Sequence, residues 1–178
     1  MPKDDAQAVK WYRLAADQGY ARAEYSLGVM YANGQGVPKD DAQAVKWFRL
    51  AADQGNAWAQ KNLGVMYDNG QGVPKDDAQA VKWYRLAADQ GYAGAQVNLG
   101  FMYANGQGVP KDDAQAMKWY RLAADQGKAG AQYNLGLMYA NGRGVPKDDA
   151  QAVKWYRLAA DQGGAVAQNN LGVMYANG

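Results

Sequence analysis

The side chains best suited to chemistry in this chain are pairs of neighbouring aspartates that recur at regular intervals. They stand at positions 4–5, 40–41, 76–77, 112–113 and 148–149. Two adjacent carboxylates could act as general acid and base, or could supply oxygen ligands to a cation. Each pair also begins a helical stretch, where capping and the helix dipole account for both aspartates. The sequence therefore favours a structural role for them.

Few other residue types remain that could carry out catalysis. The 178 residues include no histidine, cysteine or threonine, and the only serine is Ser26. Most nucleophile–base arrangements are thereby excluded, as are zinc sites built on cysteine or histidine. The glycine-rich NGQGVPKD loops lack the G-x-x-x-x-G-K-[ST] pattern, and no predicted strand precedes them, so they are interpreted as turns. We expect no catalytic residue, no metal and no cofactor.

The charges are balanced along the chain, with 19 basic and 17 acidic residues and a net charge of +2. Nucleic-acid-binding proteins usually gather basic residues on one face, and no such stripe is present, so we expect no nucleic-acid partner. No apolar segment approaches the roughly 18 residues of a membrane-spanning helix. The first residues do not resemble a signal peptide and lie inside a repeat, so we expect the natural gene to extend further upstream.

The positions of proline and tryptophan reveal an internal repeat that runs through the whole chain. Prolines occur at 2, 38, 74, 110 and 146, and tryptophans at 11, 47, 83, 119 and 155, both with a step of 36 residues. Such a fixed period indicates a repeat architecture, in which each unit buries its apolar surface against its neighbours. We interpret residues 1–178 as a single array.

Each repeat contains two predicted helices, here called helix B and helix A. Helix B, for example residues 40–54, starts at the N-cap Asp40 with Gln43 completing a capping-box pattern, and Gly55 ends it. Helix A, for example residues 57–69, ends at Gly70. The connection from B to A is only about two residues long, which predicts antiparallel neighbours.

Helix B has an apolar face that covers more than half of its circumference. In the first copy Ala8, Val9, Trp11, Tyr12 and Leu14 belong to this face. A face so broad predicts contact with helix A and with both neighbouring repeats. Gly28, in the middle of helix A, predicts a point where a neighbouring helix comes close, and we expect a tryptophan to make that approach.

The recurring pattern A-x-A-x-x-x-L-G-x-M-Y-x-N-G-x-G-V-P-x-D-x-x-x-A-x-x-W-Y/F-x-x-A-A-x-Q-G resembles that of the Sel1-like repeat (SLR) family, a branch of the tetratricopeptide-like helical repeats. The resemblance covers essentially the whole chain. It implies an all-α fold: a right-handed α-solenoid, or superhelix, of antiparallel helix pairs with a 36-residue period, here about ten helices, with the A helices lining the concave face.

The same resemblance implies a function. Family members are adaptors and scaffolds for protein–protein contacts in bacteria and eukaryotes, without a shared active site. Some cysteine-rich members have been linked to β-lactam binding or hydrolysis, which we do not expect here because the chain has neither cysteine nor a credible nucleophile. We expect a bacterial protein and leave its compartment open between the cytoplasm and the periplasm or exterior.

In the family's repeat boundaries, four complete A–B repeats lie between two unpaired helices. The complete repeats are predicted at 20–55, 56–91, 92–127 and 128–163. An orphan helix B lies within 1–19, and an orphan helix A within 164–178. Neither end has the polar capping repeat that solenoids usually carry.

The copies differ from one another along one narrow face of helix A, which we call the variable stripe. Its positions are spaced by 3, 4 and 3 residues, so they fall within about 80° of the helical wheel. We predict that the stripe binds a partner protein on the concave face. The predicted contact residues are Arg22, Tyr25, Val29, Trp58, Lys61, Val65, Asp68, Val97, Phe101, Tyr133, Leu137, Val166 and Asn169.

Two interpretations of the stripe remain open. It could be a solvated face that drifts without constraint, but such drift should favour polar residues, whereas aromatic and aliphatic residues dominate here; tryptophan and tyrosine are typical interface anchors. Beside the stripe runs an asparagine ladder. Its members could hold the backbone of an extended peptide, or could bond a neighbouring repeat's loop or helix end, and they are Asn62, Asn98, Asn134 and Asn170.

Two functional hypotheses follow. The first is a non-catalytic protein–protein interaction module that binds a peptide or protein segment on the stripe. The second is a structural scaffold, natural or consensus-designed, whose copies stack end to end, because the unpaired terminal helices should leave four side chains partly uncovered. These are Trp11, Tyr12, Met174 and Tyr175.

Overall fold

The computed structural model describes residues 4–176, and within that range every regular element is an α-helix. The chain divides into two compact units, Met1–Gln90 and Gly91–Gly178. Each unit contains five of the ten described helices. Those of the first unit are α1 (Asp5–Ala16), α2 (Ala21–Asn33), α3 (Asp41–Asp53), α4 (Ala57–Asn69) and α5 (Asp77–Asp89). Those of the second are α6 (Ala93–Asn105), α7 (Asp113–Asp125), α8 (Ala129–Asn141), α9 (Asp149–Asp161) and α10 (Ala165–Ala176).

These elements correspond to the two predicted helices of each repeat: the odd-numbered helices are B helices and the even-numbered ones are A helices. The prediction of helix A at 57–69 is confirmed to the residue by α4. The first B helix is slightly shorter than the predicted 4–18, and the last A helix is described as far as Ala176. No described helix has the length and apolar character needed to cross a bilayer.

The B helices begin where the aspartates predict. The Asp40 carboxylate accepts a hydrogen bond from the backbone N–H of Gln43 at 3.0 Å, and the same cap recurs at the other four B helices. The backbone N–H of Asp40 does not require the Gln43 side chain as its acceptor, since it donates to the Tyr31 carbonyl at 3.0 Å. The Tyr31 carbonyl thus takes the place of the Gln43 side chain, which the capping-box pattern predicts as the acceptor.

Glycine ends both kinds of helix, as the sequence predicts. Gly70 after α4 has φ +67°, and Gly55 after α3 has φ +86°. Both values lie in the left-handed region that glycine enters without steric cost. The N–H of Gln71 then donates to the carbonyl of Met66 at 2.9 Å, which satisfies one of the free carbonyls at the end of the helix.

The A helices α2, α4, α6 and α8 each pack closely against the B helix that follows, and a glycine lies at the closest point. The sequence prediction that a tryptophan makes this approach is wrong. A Cβ added at Gly28 would lie 2.4 Å from the ring of Phe48, the residue after the tryptophan, and a Cβ at Gly64 would lie 2.6 Å from Tyr84. The aromatic side chain of the following B helix fills this space, so no other residue fits there.

The tryptophans instead reach back to the preceding repeat. Trp47 of α3 is 6% exposed and belongs to a cluster with Val9 of α1 and Leu27 of α2. The Arg13 guanidinium carbon lies 6.0 Å from its ring centroid, within the range of a cation–π contact. Trp155 is buried in the same way in the second unit, beneath Arg121 at 4.9 Å. Within each unit a tryptophan therefore binds one repeat to the repeat before it.

Candidate functional site

The chemically capable side chains of the sequence are engaged in structural roles. In each aspartate pair the first residue caps its helix. The second residue pairs with a basic side chain at Asp41, Asp77, Asp113 and Asp149. The partners are Lys39 for Asp41, Lys75 for Asp77, Arg143 for Asp113 and Lys147 for Asp149. Between residues 4 and 176 no group of three or more His, Cys, Asp or Glu side chains could hold a metal ion.

The variable stripe lies at the surface of both units. No residue predicted to belong to it is buried, whereas the fixed leucines of α2, α4, α6 and α8 are fully buried. In the first unit Trp58 is 49% exposed, and in the second unit Phe101 is 49% exposed. The A helices therefore hold large apolar side chains in water at the positions where the repeats differ.

An aromatic group occupies the stripe of the first unit. The ring centroid of Tyr25 on α2 lies 5.9 Å from that of Phe48 and 6.0 Å from that of Trp58 on α4, with the rings tilted. These distances fall within the range of favourable aromatic pairs. Phe48 is buried and Trp58 is half exposed, so Tyr25 connects the core to the surface at this point.

A pocket of about 310 Å³ opens between α2 and α4 beside this group. Its volume lies near the lower end of the range for small-ligand sites. Most of the lining is apolar, and two asparagines contribute the polar edges. The lining residues are Tyr25, Val29, Ala32, Asn33, Phe48, Asn62, Val65 and Met66.

The pocket lacks two polar groups that are present at the corresponding place in the next repeat. Phe48 replaces the tyrosine present at the corresponding positions 12, 84, 120 and 156. Ala32 is the residue common to the other copies, and the next repeat alone has an aspartate there, Asp68. In that next repeat the Tyr84 hydroxyl and the Asp68 carboxylate are 3.2 Å apart and hydrogen-bonded. Because Phe48 and Ala32 carry no polar group, the pocket between α2 and α4 remains apolar.

Positive charge lies beside the pocket. Lys61 on α4 is partly buried, and this burial lowers the pKa of its ammonium group below the ordinary value. Its Nζ donates to the Asn62 Oδ1 at 3.4 Å. Neither Lys61 nor the exposed Arg22 forms an ion pair with any described residue. This part of the stripe therefore offers two cations without carboxylate partners.

The stripe of the second unit is less charged. The ring centroid of Tyr133 lies 5.9 Å from that of Tyr156, and Phe101 projects into solvent. Gly130 opens onto free space, since an added Cβ would meet no atom within 4 Å. Val97 and Leu137 are half-buried, and the remaining stripe residues, Val166 and Asn169, are exposed on α10.

The asparagine ladder is half-buried at all four positions. Asn62 lies at the pocket and accepts from Lys61, while Asn170 is hydrogen-bonded to the Tyr156 hydroxyl. Neither contact matches the expected bond to a neighbouring loop or helix end. That these asparagines hold the backbone of a bound peptide stays a prediction.

A row of buried polar side chains was missed by the sequence reasoning. Gln60 donates to the carbonyl of Ala52 at 3.0 Å and accepts from Gln90 at 2.7 Å, so it joins the ends of two B helices. Glu24 accepts from Gln54 at 2.7 Å, and its burial raises the pKa of the carboxyl group. The available signal was a polar residue recurring at a fixed position among apolar ones.

In the second unit Arg143 links neighbouring repeats through Asp113 and Ala104, and we call these contacts the clamp. Arg143 replaces the glutamine found at positions 35, 71 and 107. Its guanidinium donates to the Asp113 carboxylate at 2.6 Å and to the Ala104 carbonyl at 3.1 Å. The guanidinium holds the pKa of Asp113 below its ordinary value.

Comparison with known proteins agrees with this geometry. The Sel1 repeat model matches residues 1–20, 21–56, 59–92, 93–128, 129–164 and 165–178. A protective antigen of uropathogenic Escherichia coli with an SLR fold is similar with a TM-score of 0.93 and 46% identity. That match covers 95% of this chain and 36% of the antigen, so the chain spans about a third of the antigen's length.

Two further crystal structures are similar. A Sel1 repeat protein from Oxalobacter formigenes is 37% identical with a TM-score of 0.89, covering 98% of this chain and 70% of that one. An immunity protein from Pseudomonas aeruginosa is 25% identical with a TM-score of 0.58, covering 94% and 62%. None of the curated proteins compared with the chain matches it.

These matches confirm the predicted all-α solenoid of the SLR type. Sel1 repeat proteins generally mediate protein–protein interactions and are typically non-catalytic scaffolds. Six matched repeats account for nearly every residue, and the helices, caps and glycine contacts follow one repeated plan. The chain belongs to the Sel1 repeat family.

Proposed function

We propose that the chain is a non-catalytic interaction module that binds a segment of another protein on the variable stripe of its A helices. The observation that carries this proposal is the half-exposure of Trp58 and Phe101 on the one face where the repeats differ. Large aromatic side chains held at a surface are typical anchors of protein interfaces. In the solenoid geometry that the family resemblance implies, this face would line the concave side.

In the first unit the stripe favours a particular kind of segment. The pocket between α2 and α4 suits one bulky apolar side chain, and its asparagines can bond the segment's backbone. Lys61 and Arg22 lack carboxylate partners among the described residues. An acidic group next to the apolar side chain of the bound segment would form ion pairs with them. We therefore propose a segment in which an aromatic or large aliphatic residue adjoins aspartate or glutamate.

A random peptide library displayed on phage and selected on the immobilised chain tests this proposal. We expect the enriched sequences to share an apolar residue beside an acidic one. A selected peptide should bind the Trp58→Ala variant at least about tenfold more weakly, the loss expected when an interface anchor is truncated. Helical content should stay unchanged, because Trp58 is half exposed and outside the buried core.

Leu86→Ala is the matched control, because Leu86 is also an exposed apolar residue, at 41%, but lies on helix α5 outside the stripe. Its affinity for the peptide should equal that of the unmodified chain. Equal binding by Trp58→Ala would overturn the assignment of the stripe. Lys61→Ala should remove the acidic preference and flatten the salt dependence of binding, and an unchanged salt dependence would reject the charge argument.

A further inference from the structure

Tyrosine stands at the same repeat position on the three B helices α5, α7 and α9. The residues are Tyr84, Tyr120 and Tyr156, and each of them is at most 3% exposed. Each ring covers a glycine of the preceding A helix in the same way, since an added Cβ would lie 2.5–2.8 Å from it. The three hydroxyl groups therefore have equivalent positions within their repeats.

Two of these hydroxyl groups have a partner on an A helix. The Tyr84 hydroxyl donates to the Asp68 carboxylate at 3.2 Å. The Tyr156 hydroxyl is hydrogen-bonded to the side chain of Asn170. Asp68 belongs to the variable stripe and Asn170 to the asparagine ladder beside it. In both repeats the hydroxyl end of the ring therefore lies at the surface proposed to bind the partner segment.

The Tyr120 hydroxyl has neither kind of partner and forms no hydrogen bond with any described residue. Ala104 stands where the repeat before has Asp68, so α6 brings no carboxylate to it. Asn134, the counterpart of Asn170, is half-buried and is not bonded to Tyr120. Buried polar groups are nearly always hydrogen-bonded, so an unpaired hydroxyl on a residue only 3% exposed requires an explanation.

The surroundings of this hydroxyl favour a negatively charged acceptor. Burial raises the pKa of Tyr120 to about 12, so at neutral pH the hydroxyl keeps its proton and can donate it. The Arg143 guanidinium, which also pairs with Asp113, donates to the Ala104 carbonyl at 3.1 Å and interacts favourably with a negative charge at Tyr120. A hydrogen bond to a carboxylate is stronger than one to a neutral acceptor.

We propose that Tyr120 and Asn134 form a subsite of the variable stripe that binds an aspartate or glutamate side chain of the partner segment. The bound carboxylate has the position beside Tyr120 that Asp68 has beside Tyr84, and it accepts from the Tyr120 hydroxyl and the Asn134 amide. This subsite rests on the function proposed above and deepens it, because it assigns an acidic residue of the segment to the second unit.

Peptides selected on a chain that lacks the main contacts of the first unit test this subsite. The Trp58→Ala, Lys61→Ala double variant loses the exposed aromatic anchor and one cation of the first unit and retains the whole stripe of the second. A phage-displayed random library selected on it should enrich peptides that contain aspartate or glutamate. Alanine substitution of each acidic residue then identifies the one that contributes most to binding.

A double-mutant cycle tests whether that acidic residue contacts Tyr120. Tyr120→Phe removes only the hydroxyl, and Phe48 shows that the fold accepts phenylalanine at this repeat position. The variant should bind the acidic peptide roughly tenfold more weakly, the loss expected for one hydrogen bond to a charged group. Its affinity for the alanine-substituted peptide should stay the same. An equal loss for both peptides, or no loss for either, would overturn the subsite.

Tyr156→Phe is the matched control, because it removes the same hydroxyl from a tyrosine that already has Asn170 as its partner. It should leave the difference in affinity between the two peptides unchanged. If Tyr156→Phe reduced that difference as much as Tyr120→Phe does, the assignment to Tyr120 would be wrong.

Ala104→Asp gives the second unit the carboxylate that Asp68 provides in the repeat before. The new side chain should accept from Tyr120 and exclude the acidic residue of the peptide. It should therefore weaken the acidic peptide more than the alanine-substituted one, while circular dichroism checks that the variant is folded. An unchanged preference for the acidic peptide in a folded Ala104→Asp variant would contradict the assigned position of the carboxylate.

These outcomes separate the subsite from the proposed function. If neither the unmodified chain nor the double variant enriches any peptide, the proposed function fails and the subsite fails with it. If only the unmodified chain enriches peptides, the second unit binds no segment, and the subsite is rejected while the role of the first unit stands. If peptides bind the double variant but Tyr120→Phe does not discriminate between them, the subsite alone is rejected.

Discussion

The two faces of a single A helix show most clearly how this protein divides its residues between folding and recognition. On one face of α4, Leu63 and Gly64 are fully covered, and the ring of Tyr84 leaves no room for a Cβ on the glycine. On the other face Trp58 is half exposed beside the partly buried Lys61. The first pair is repeated in every A helix, and the second is found once.

The contrast follows from packing. A buried position is surrounded by side chains of the neighbouring helices, and interiors are packed so closely that a change of one methylene is felt. An exposed position has no such neighbours, so its side chain is free to serve another purpose. The repeats agree where a change would disrupt the fold and differ where it would alter only the surface.

The largest expected difference is between two tryptophans. Trp47→Ala should lower the free energy of unfolding by about 3–5 kcal/mol, because it removes a buried aromatic side chain and leaves a cavity under Arg13. Trp58→Ala should lower it by less than about 1 kcal/mol, since half of that side chain is already in water. Urea titrations followed by far-ultraviolet circular dichroism measure both values. Equal losses would mean that the two faces do not differ as described.

Two glycines sharpen the comparison because the same substitution should change stability in opposite directions. Gly64→Ala should destabilise the fold by about 1–3 kcal/mol, since the new Cβ would lie 2.6 Å from the Tyr84 ring. Gly130→Ala should stabilise it by up to about 1 kcal/mol through helix propensity alone, because nothing lies within 4 Å. Thermal melts of the two variants provide the check. A loss of stability in Gly130→Ala would show that this part of the stripe is packed.

A smaller effect is expected at the clamp of the second unit. Arg143→Gln restores the residue found at the corresponding positions 35, 71 and 107 and removes the ion pair with Asp113. Because both side chains are partly exposed, the free energy of unfolding should fall by about 1 kcal/mol or less. Urea titrations at neutral pH measure it, and a loss several times larger would mean that the clamp is a principal part of the second unit.

The clamp also predicts a dependence on pH. In the folded chain Arg143 holds the pKa of Asp113 below its ordinary value of 3.8, so the stabilisation is fully present above that pH. It is lost as the pH falls from about 3.8 through the lower folded value. The difference in stability between the unmodified chain and Arg143→Gln should therefore shrink in acid. A difference that grows in acid would contradict the assigned direction.

The helices and their ends could be predicted from the sequence because their signals are local. Asp40, Gly55 and Gly70 each act within a few residues of where they stand, and the 36-residue period repeats those signals. The neighbour of Gly28, in contrast, could not be predicted from local signals. The sequence indicated a close approach but not which neighbour makes it, because Trp47 and Phe48 are adjacent and their direction depends on how the helices cross.

Long-range polar contacts and cavities were not predictable in the same way. The bond between Gln54 and Glu24 joins residues 30 positions apart and follows from the packing of repeats. The pocket between α2 and α4 lies where Phe48 and Ala32 provide no counterpart to the hydrogen bond between Tyr84 and Asp68. Periodicity identified the stripe, but only the packed helices place Phe48 beneath it.

Hydroxyl-radical footprinting of the chain with and without a selected peptide tests the central claim most directly, because it reports which exposed aromatic side chains the peptide covers. Protection is predicted at Trp58 at least, and at Phe101 if the peptide also engages the second unit. No protection is predicted at Trp11, which is more exposed but lies off the stripe. Protection of Trp11 or Leu86 with Trp58 and Phe101 still fully reactive would contradict the assignment of the stripe as the binding surface.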